Sequence, residues 1–140
     1  GDARAPFFTD QDEKRLLYEL SQMSNKNHLR LTKLALVTSF RRSELLSLTL
    51  RNIDLKNDKI NIQRKECAVR GSSSSMRIVP LPHNAKELLK SFESNEGRVI
   101  SLTRGSSRNG FDRSRRKAGL ETLRFHDLRH IAIAECRVME

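Results

Sequence analysis

The stretch IDLKNDKINIQRKECAVRGSSSSMRIVPLP, residues 53–82, decides the fold class, because here the apolar pattern changes its period. Ile53 and Leu55, the turn KNDK, and then Ile60 and Ile62 alternating with Asn61 and Gln63 have the period of two of half-buried strands. Met76 to Leu81 is a second alternating run, separated from the first by the long, serine-rich loop CAVRGSSSS. A small antiparallel sheet with an extended hairpin tip is therefore expected.

On both sides of this stretch the pattern is helical. Thr9 is followed by Asp10, Asp12 and Glu13 and then by Leu16, Leu17 and Leu20, which puts a capping hydroxyl and acids ahead of an apolar stripe and predicts a helix from about Asp10 to Met23. His28 to Phe40 is too apolar around its circumference for a surface helix and reads as a buried central one. A short helix with Ser43 as cap follows the pair Arg41-Arg42 almost without a loop, which implies a tight corner. Beyond the sheet, Pro82 opens a helix bearing Ala85, Leu88, Leu89 and Phe92, and RVISL at 98–102 has the look of one more short strand. TRGSSRNG reads as a loop before a basic helix from Phe111 to Ala118 stopped by Gly119. A last helix runs from Asp127 with Ile131, Ile133 and Ala134 as its apolar positions. The expected class is α+β, mainly helical, with helices packed around a small antiparallel sheet. No repeat or linker divides the chain; residues 1–8 read as a linker remnant and 9–140 as one domain.

The 140 residues include 27 Lys and Arg against 17 Asp and Glu, a net charge of +10. Such a balance on a small domain points to a polyanion, nucleic acid first and an anionic membrane surface second, because phosphates repay cations with released counterions. No apolar run reaches the length of a bilayer span and the first ten residues lack the pattern of a signal peptide, so a cytoplasmic protein without a membrane partner is expected. Cys67 and Cys136 have neither disulfide-framework nor zinc spacing, and no metal or other cofactor is expected.

Arg41 at the predicted corner, Lys65 in the hairpin, and His126 with Arg129 at i, i+3 on the last helix form an inventory suited to phosphoryl transfer. Forked guanidinium donors would neutralise the equatorial oxygens, while the ammonium and imidazole could move protons. Three segments in fixed order sharpen this. TSFRRSELLSL at 38–48 resembles the first arginine box of the tyrosine recombinase, or phage integrase, family; IQRKECAVRGSSSSMRIVPLP at 62–82 resembles its lysine-bearing hairpin; and FHDLRH at 125–130 resembles its His-x-x-Arg box. The resemblance implies that Arg41 and Arg129 clamp the scissile phosphate, that Lys65 protonates the leaving 5′ oxygen, and that His126 accepts a proton from the nucleophile or holds a phosphate oxygen. Glu44 would be an acid orienting Arg41. Arg42, Arg64, Arg70, Arg77, Arg113, Arg116, Lys117 and His130 are the expected contacts to double-stranded DNA, and no metal is implied because arginines supply the charge stabilisation.

The sequence departs from the family in two places. Ser39 stands where the family has glycine, and the nucleophilic tyrosine that follows the His-x-x-Arg box, with the His or Trp before it, is not among these residues. Tyr18 precedes Arg41 and reads as the edge of the core. The expectation is a catalytic domain incomplete at its C-terminal end, inactive and monomeric by itself, from a parent that acts as a tetramer on DNA through a 3′-phosphotyrosyl intermediate. The alternative is a non-cleaving DNA-binding regulator or excision helper of the same fold, with the basic helix after Phe111 as its main contact; a type IB topoisomerase-like domain is a third reading.

Overall fold

A computed structural model describes residues 8–63, 76–92, 97–135 and 137. The first helix, α1 (Asp10–Ser21), begins where the sequence predicts: the Thr9 hydroxyl accepts the Asp12 N–H at 3.0 Å and the Asp12 carboxylate accepts the Thr9 N–H at 3.0 Å. This reciprocal pair satisfies two donors that the first turn would otherwise leave open. The second helix, α2 (Asn27–Thr38), is the expected central one, burying Leu31, Leu34, Ala35 and Leu36. It packs against α1 and against α3 (Arg42–Leu46), α4 (His83–Lys90), α5 (Arg104–Lys117) and α6 (Phe125–Ala134).

The sheet is three-stranded and antiparallel, in the order β1 (Ile53–Asp54), β2 (Lys59–Gln63), β3 (Met76–Pro80), with Ile60 opposite Val79 and Ile62 opposite Arg77. Ile60 and Ile62 enter the core, whereas Ile78 on the other face is exposed, as the alternation requires. One continuous apolar cluster joins sheet and helices; Leu16, Leu20, Leu34, Leu45, Ile100 and Leu128 lie fully inside it, each stabilising the fold by about 1.5–3 kcal/mol. Among the described residues no helix is long and apolar enough to cross a membrane.

Five local expectations are corrected. Residues 98–102 do not form a strand: Thr49 and Arg98 make an isolated bridge, and a 3₁₀ turn starting at Leu50 carries the partner segment away before a ladder can grow. The segment 104–110 is helix, not loop. Thr103 caps α5 by accepting the Ser106 N–H at 3.0 Å, and Gly110, poor for a helix by propensity, lets the His28 ring approach so closely that a Cβ there would sit 2.3 Å from it. Arg41, not Ser43, is the cap residue of α3. In α6 the apolar face is Phe125, Leu128, Ile131 and Ala132; Ile131 is buried while Ile133 is 52% exposed. Tyr18 is 59% exposed and is no part of the core edge.

Candidate active site

Two helix starts build the site. At the first, α2 ends in Ser39 with φ 63° and ψ 13°, the left-handed conformation that favours glycine. The Thr38 hydroxyl donates to the Leu34 carbonyl at 2.7 Å and accepts the Phe40 N–H at 3.2 Å, and the buried Phe40 ring anchors the turn in the core. Arg41 follows in extended backbone, and its N–H donates to the Glu44 carboxylate at 2.8 Å. Glu44 is buried, so the charge-assisted bond fixes the corner from which Arg41 projects.

The second start repeats this device. The Asp127 carboxylate, only 2% exposed as a residue, accepts the Arg124 N–H at 2.8 Å and begins α6 at Phe125. Leu128, fully buried, pins the next turn. His126 and Arg129, three residues apart, thus reach one side of the helix. The His126 ring meets His130 edge to face at 4.9 Å. Desolvation, with the charges of His130, Arg129, Arg124 and Arg41, holds the His126 pKa below its ordinary 6.5, so the ring is neutral near pH 7 and able to accept a proton.

Both starts open on the same space. A cleft of about 330 Å³ is lined by Arg41, Glu44, Arg77 and Arg129, and an adjoining one of about 190 Å³ by Arg41, Arg42, Phe125, His126 and Arg129. The Nε atoms of Arg42, Arg77 and Arg129 are buried and have no hydrogen-bond partner among the described residues. An unsatisfied buried donor on a charged group costs more than 1 kcal/mol, so Arg77 with Arg129 in the larger cleft and Arg42 with Arg129 in the adjoining one suit an anion with several acceptor oxygens.

The structure thus brings together Arg41, Arg129, His126 and Glu44, and adds Arg77 from β3. Lys65, Arg64 and Arg70 lie outside the described residues. The basic helix does not converge on this cleft: Arg113 and Lys117 line a separate one of about 440 Å³ with Glu19 and His28, and Arg116 is exposed and bonded to Asp112 at 3.0 Å. Arg115 is held by Asp112 at 2.5 Å and by the Glu121 carbonyl. His130 touches His126 and lines neither arginine cleft. Sequence reasoning passed over Asp127, although an acid three residues after Arg124 is the same signal that Glu44 gives after Arg41.

Comparison with known proteins bears on this geometry. The model of the phage integrase family matches residues 6–135. A shufflon-specific DNA recombinase of Escherichia coli is 31% identical over 102 residues, which cover 72% of this chain and 25% of that protein; the chain spans about a quarter of the length of this curated relative. The catalytic domain of bacteriophage HP1 integrase superposes with a TM-score of 0.65 at 23% identity, over 91% of this chain and 68% of that one. A lambda integrase dimer bound to a COC′ core site gives 0.65 at 21% identity, over 89% and 48%. The recombinase fold, the ordered motifs and the paired helix starts agree: this chain belongs to the phage integrase family.

Proposed function

We propose that this chain supplies the phosphate-handling face of a site-specific DNA recombinase, and that it binds double-stranded DNA through it. The observation that carries this reading is the cleft shared by Arg41, Arg77 and Arg129, in which two buried Nε donors stand without a partner. A phosphodiester placed there would offer its non-bridging oxygens to the guanidiniums, which would stabilise the charge of the pentacoordinate state. Neutral His126 would take the proton of an attacking tyrosine hydroxyl or hold one of those oxygens. The P–O5′ bond breaks as the tyrosine oxygen bonds to phosphorus, and Lys65 returns a proton to the leaving oxygen. The tyrosine comes from outside residues 1–140, in cis or from another chain, because exposed Tyr18 on α1 lines neither arginine cleft.

The test is trapping of the covalent intermediate. Residues 1–140 are expected to bind duplex DNA but to give no detergent-resistant complex with a nicked duplex. With a family C-terminal segment carrying the tyrosine supplied in cis or in trans, the complex should form, and Arg41→Ala or Arg129→Ala should abolish it while largely sparing duplex binding. If Tyr18→Phe protein formed the complex unaided, the assignment of the nucleophile would be wrong. If no added segment yielded it, and Arg41→Ala merely flattened the salt dependence of binding by about one unit, the chain would be a non-cleaving binder.

A further inference from the structure

We propose that Arg42, Arg104 and Arg108 form a second phosphate subsite beside the Arg41–Arg129 cleft, which takes another phosphate of the bound DNA strand. The inference rests on the reading above and extends it from Arg42, which also lines the smaller cleft with Arg41 and Arg129, to Arg104 and Arg108. Arg42 opens α3, and its guanidinium carbon lies 4.4 Å from the centre of the Phe125 ring, a cation–π contact that holds the fork in one orientation. Phe125 in turn meets Phe111 edge to face at 5.2 Å. Phe111 is three residues after Arg108 and seven after Arg104, so the three share one face of α5. The ring contacts therefore tie the start of α3 to the middle of α5, on the face that also carries Arg104 and Arg108.

Without an anion this arrangement is unfavourable in three ways. The Arg42 Nε is buried and unpartnered. Burial first, and then the charges of Arg108 and Arg104, pushes the Arg42 pKa below its ordinary value. Arg104 sits in the first turn of α5, which contains no acid, where the helix dipole disfavours a cation. Several other arginines are neutralised: Arg15 by Asp12, Arg116 by Asp112, and Arg137 by Glu13 and Glu135. Among the described residues Arg42, Arg104 and Arg108 have no carboxylate partner. A phosphate oxygen at this place would satisfy the Nε, neutralise the cluster and suit the helix N-terminus together. A carboxylate could do the same chemically, but the adjoining cleft already selects a phosphodiester strand, and successive phosphates of one strand come with it.

Arg104 and Arg108 are exposed, so the double variant Arg104→Ala/Arg108→Ala is expected to fold as the parent does. Binding to a duplex of about 30 base pairs would be followed by fluorescence anisotropy from about 50 to 200 mM salt, where each phosphate neutralised adds about 0.9 to the slope of log K against log salt. The double variant should flatten the slope by about that amount. In protein labelled with ¹⁵N-arginine, the Arg42 Nε resonance should shift when duplex is added, and should shift distinctly less in the double variant. An unchanged slope with an unmoved Arg42 resonance, while Arg129 still responds to duplex, overturns the subsite and leaves the main reading intact. Absence of salt-dependent duplex binding in the unmodified chain would sink both. A shift of Arg42 with inorganic phosphate but none with duplex would also overturn the proposal, by making this a site for free anions.

Discussion

The start of α6 decides where His126 and Arg129 stand, so removing the acid behind it is a direct probe of the reasoning. In Asp127→Ala the bond from the Arg124 N–H at 2.8 Å is lost and that donor is left open. A hydrogen bond to a charged group contributes about 1.5–3 kcal/mol, and an acid in the first turn adds about 0.3–1 kcal/mol through the helix dipole. The ion pair to the Arg124 guanidinium is long, 3.4 Å, and its arginine is mostly solvated, so it adds little. The expected loss is roughly 2–3 kcal/mol, a fall in Tm of about 6–9 °C for a domain of this size. Urea unfolding followed by circular dichroism would measure it. Asp127→Asn keeps an acceptor of the same shape and should recover more than half. An alanine variant as stable as the parent, or an asparagine variant as damaged as alanine, would refute the claim that this carboxylate organises the site.

Ser39→Gly should stabilise the chain by about 0.5–1 kcal/mol by relieving the left-handed backbone at φ 63°, whereas Ser39→Val should destabilise it by at least 1 kcal/mol; paired urea melts would show the two opposite signs. Gly110→Ala should destabilise by about 1–2 kcal/mol despite alanine's better helix propensity, because its methyl would meet the buried His28 ring, and His28→Ala in the same chain should rescue much of the difference in Tm. The pKa values of His28 and His126 lie below 6.5 in the folded chain, His28 through desolvation and then the charge of Arg113. Unfolded chains then bind more protons, so this stability is present above pH 6.5 and is lost as the pH falls through the folded values. Urea midpoints should drop between about pH 7.5 and 5.5, and His28→Gln should reduce that drop; equal midpoints would contradict the assignment.

The chain's local patterns determined much of this protein. Thr9 with Asp12, the apolar run from Leu31 to Leu36, and the alternation of Ile60 and Ile62 placed α1, α2 and β2 because each encodes its element through spacing that needs only neighbours along the chain. The motifs around Arg41 and around His126 and Arg129 were legible in the same way, as short segments with fixed internal order. Local reasoning failed wherever the deciding partner was distant in sequence. Residues 104–110 read as loop, since Gly105, Gly110 and the three residues Ser106, Ser107 and Asn109 disfavour helix by propensity; the close seat of Gly110 against His28 offsets that cost only after α2 and α5 have packed. Residues 98–102 carry strand-forming residues, yet their pairing depended on a segment that turns away at Leu50. That Arg77 joins Arg41 and Arg129 in one cleft, while Arg113 and Lys117 line another, follows from the positions of β3, α3, α5 and α6 in the fold. Charge and residue type are properties of the chain, whereas which cations share an anion depends on distances of a few ångströms, and folding alone creates those.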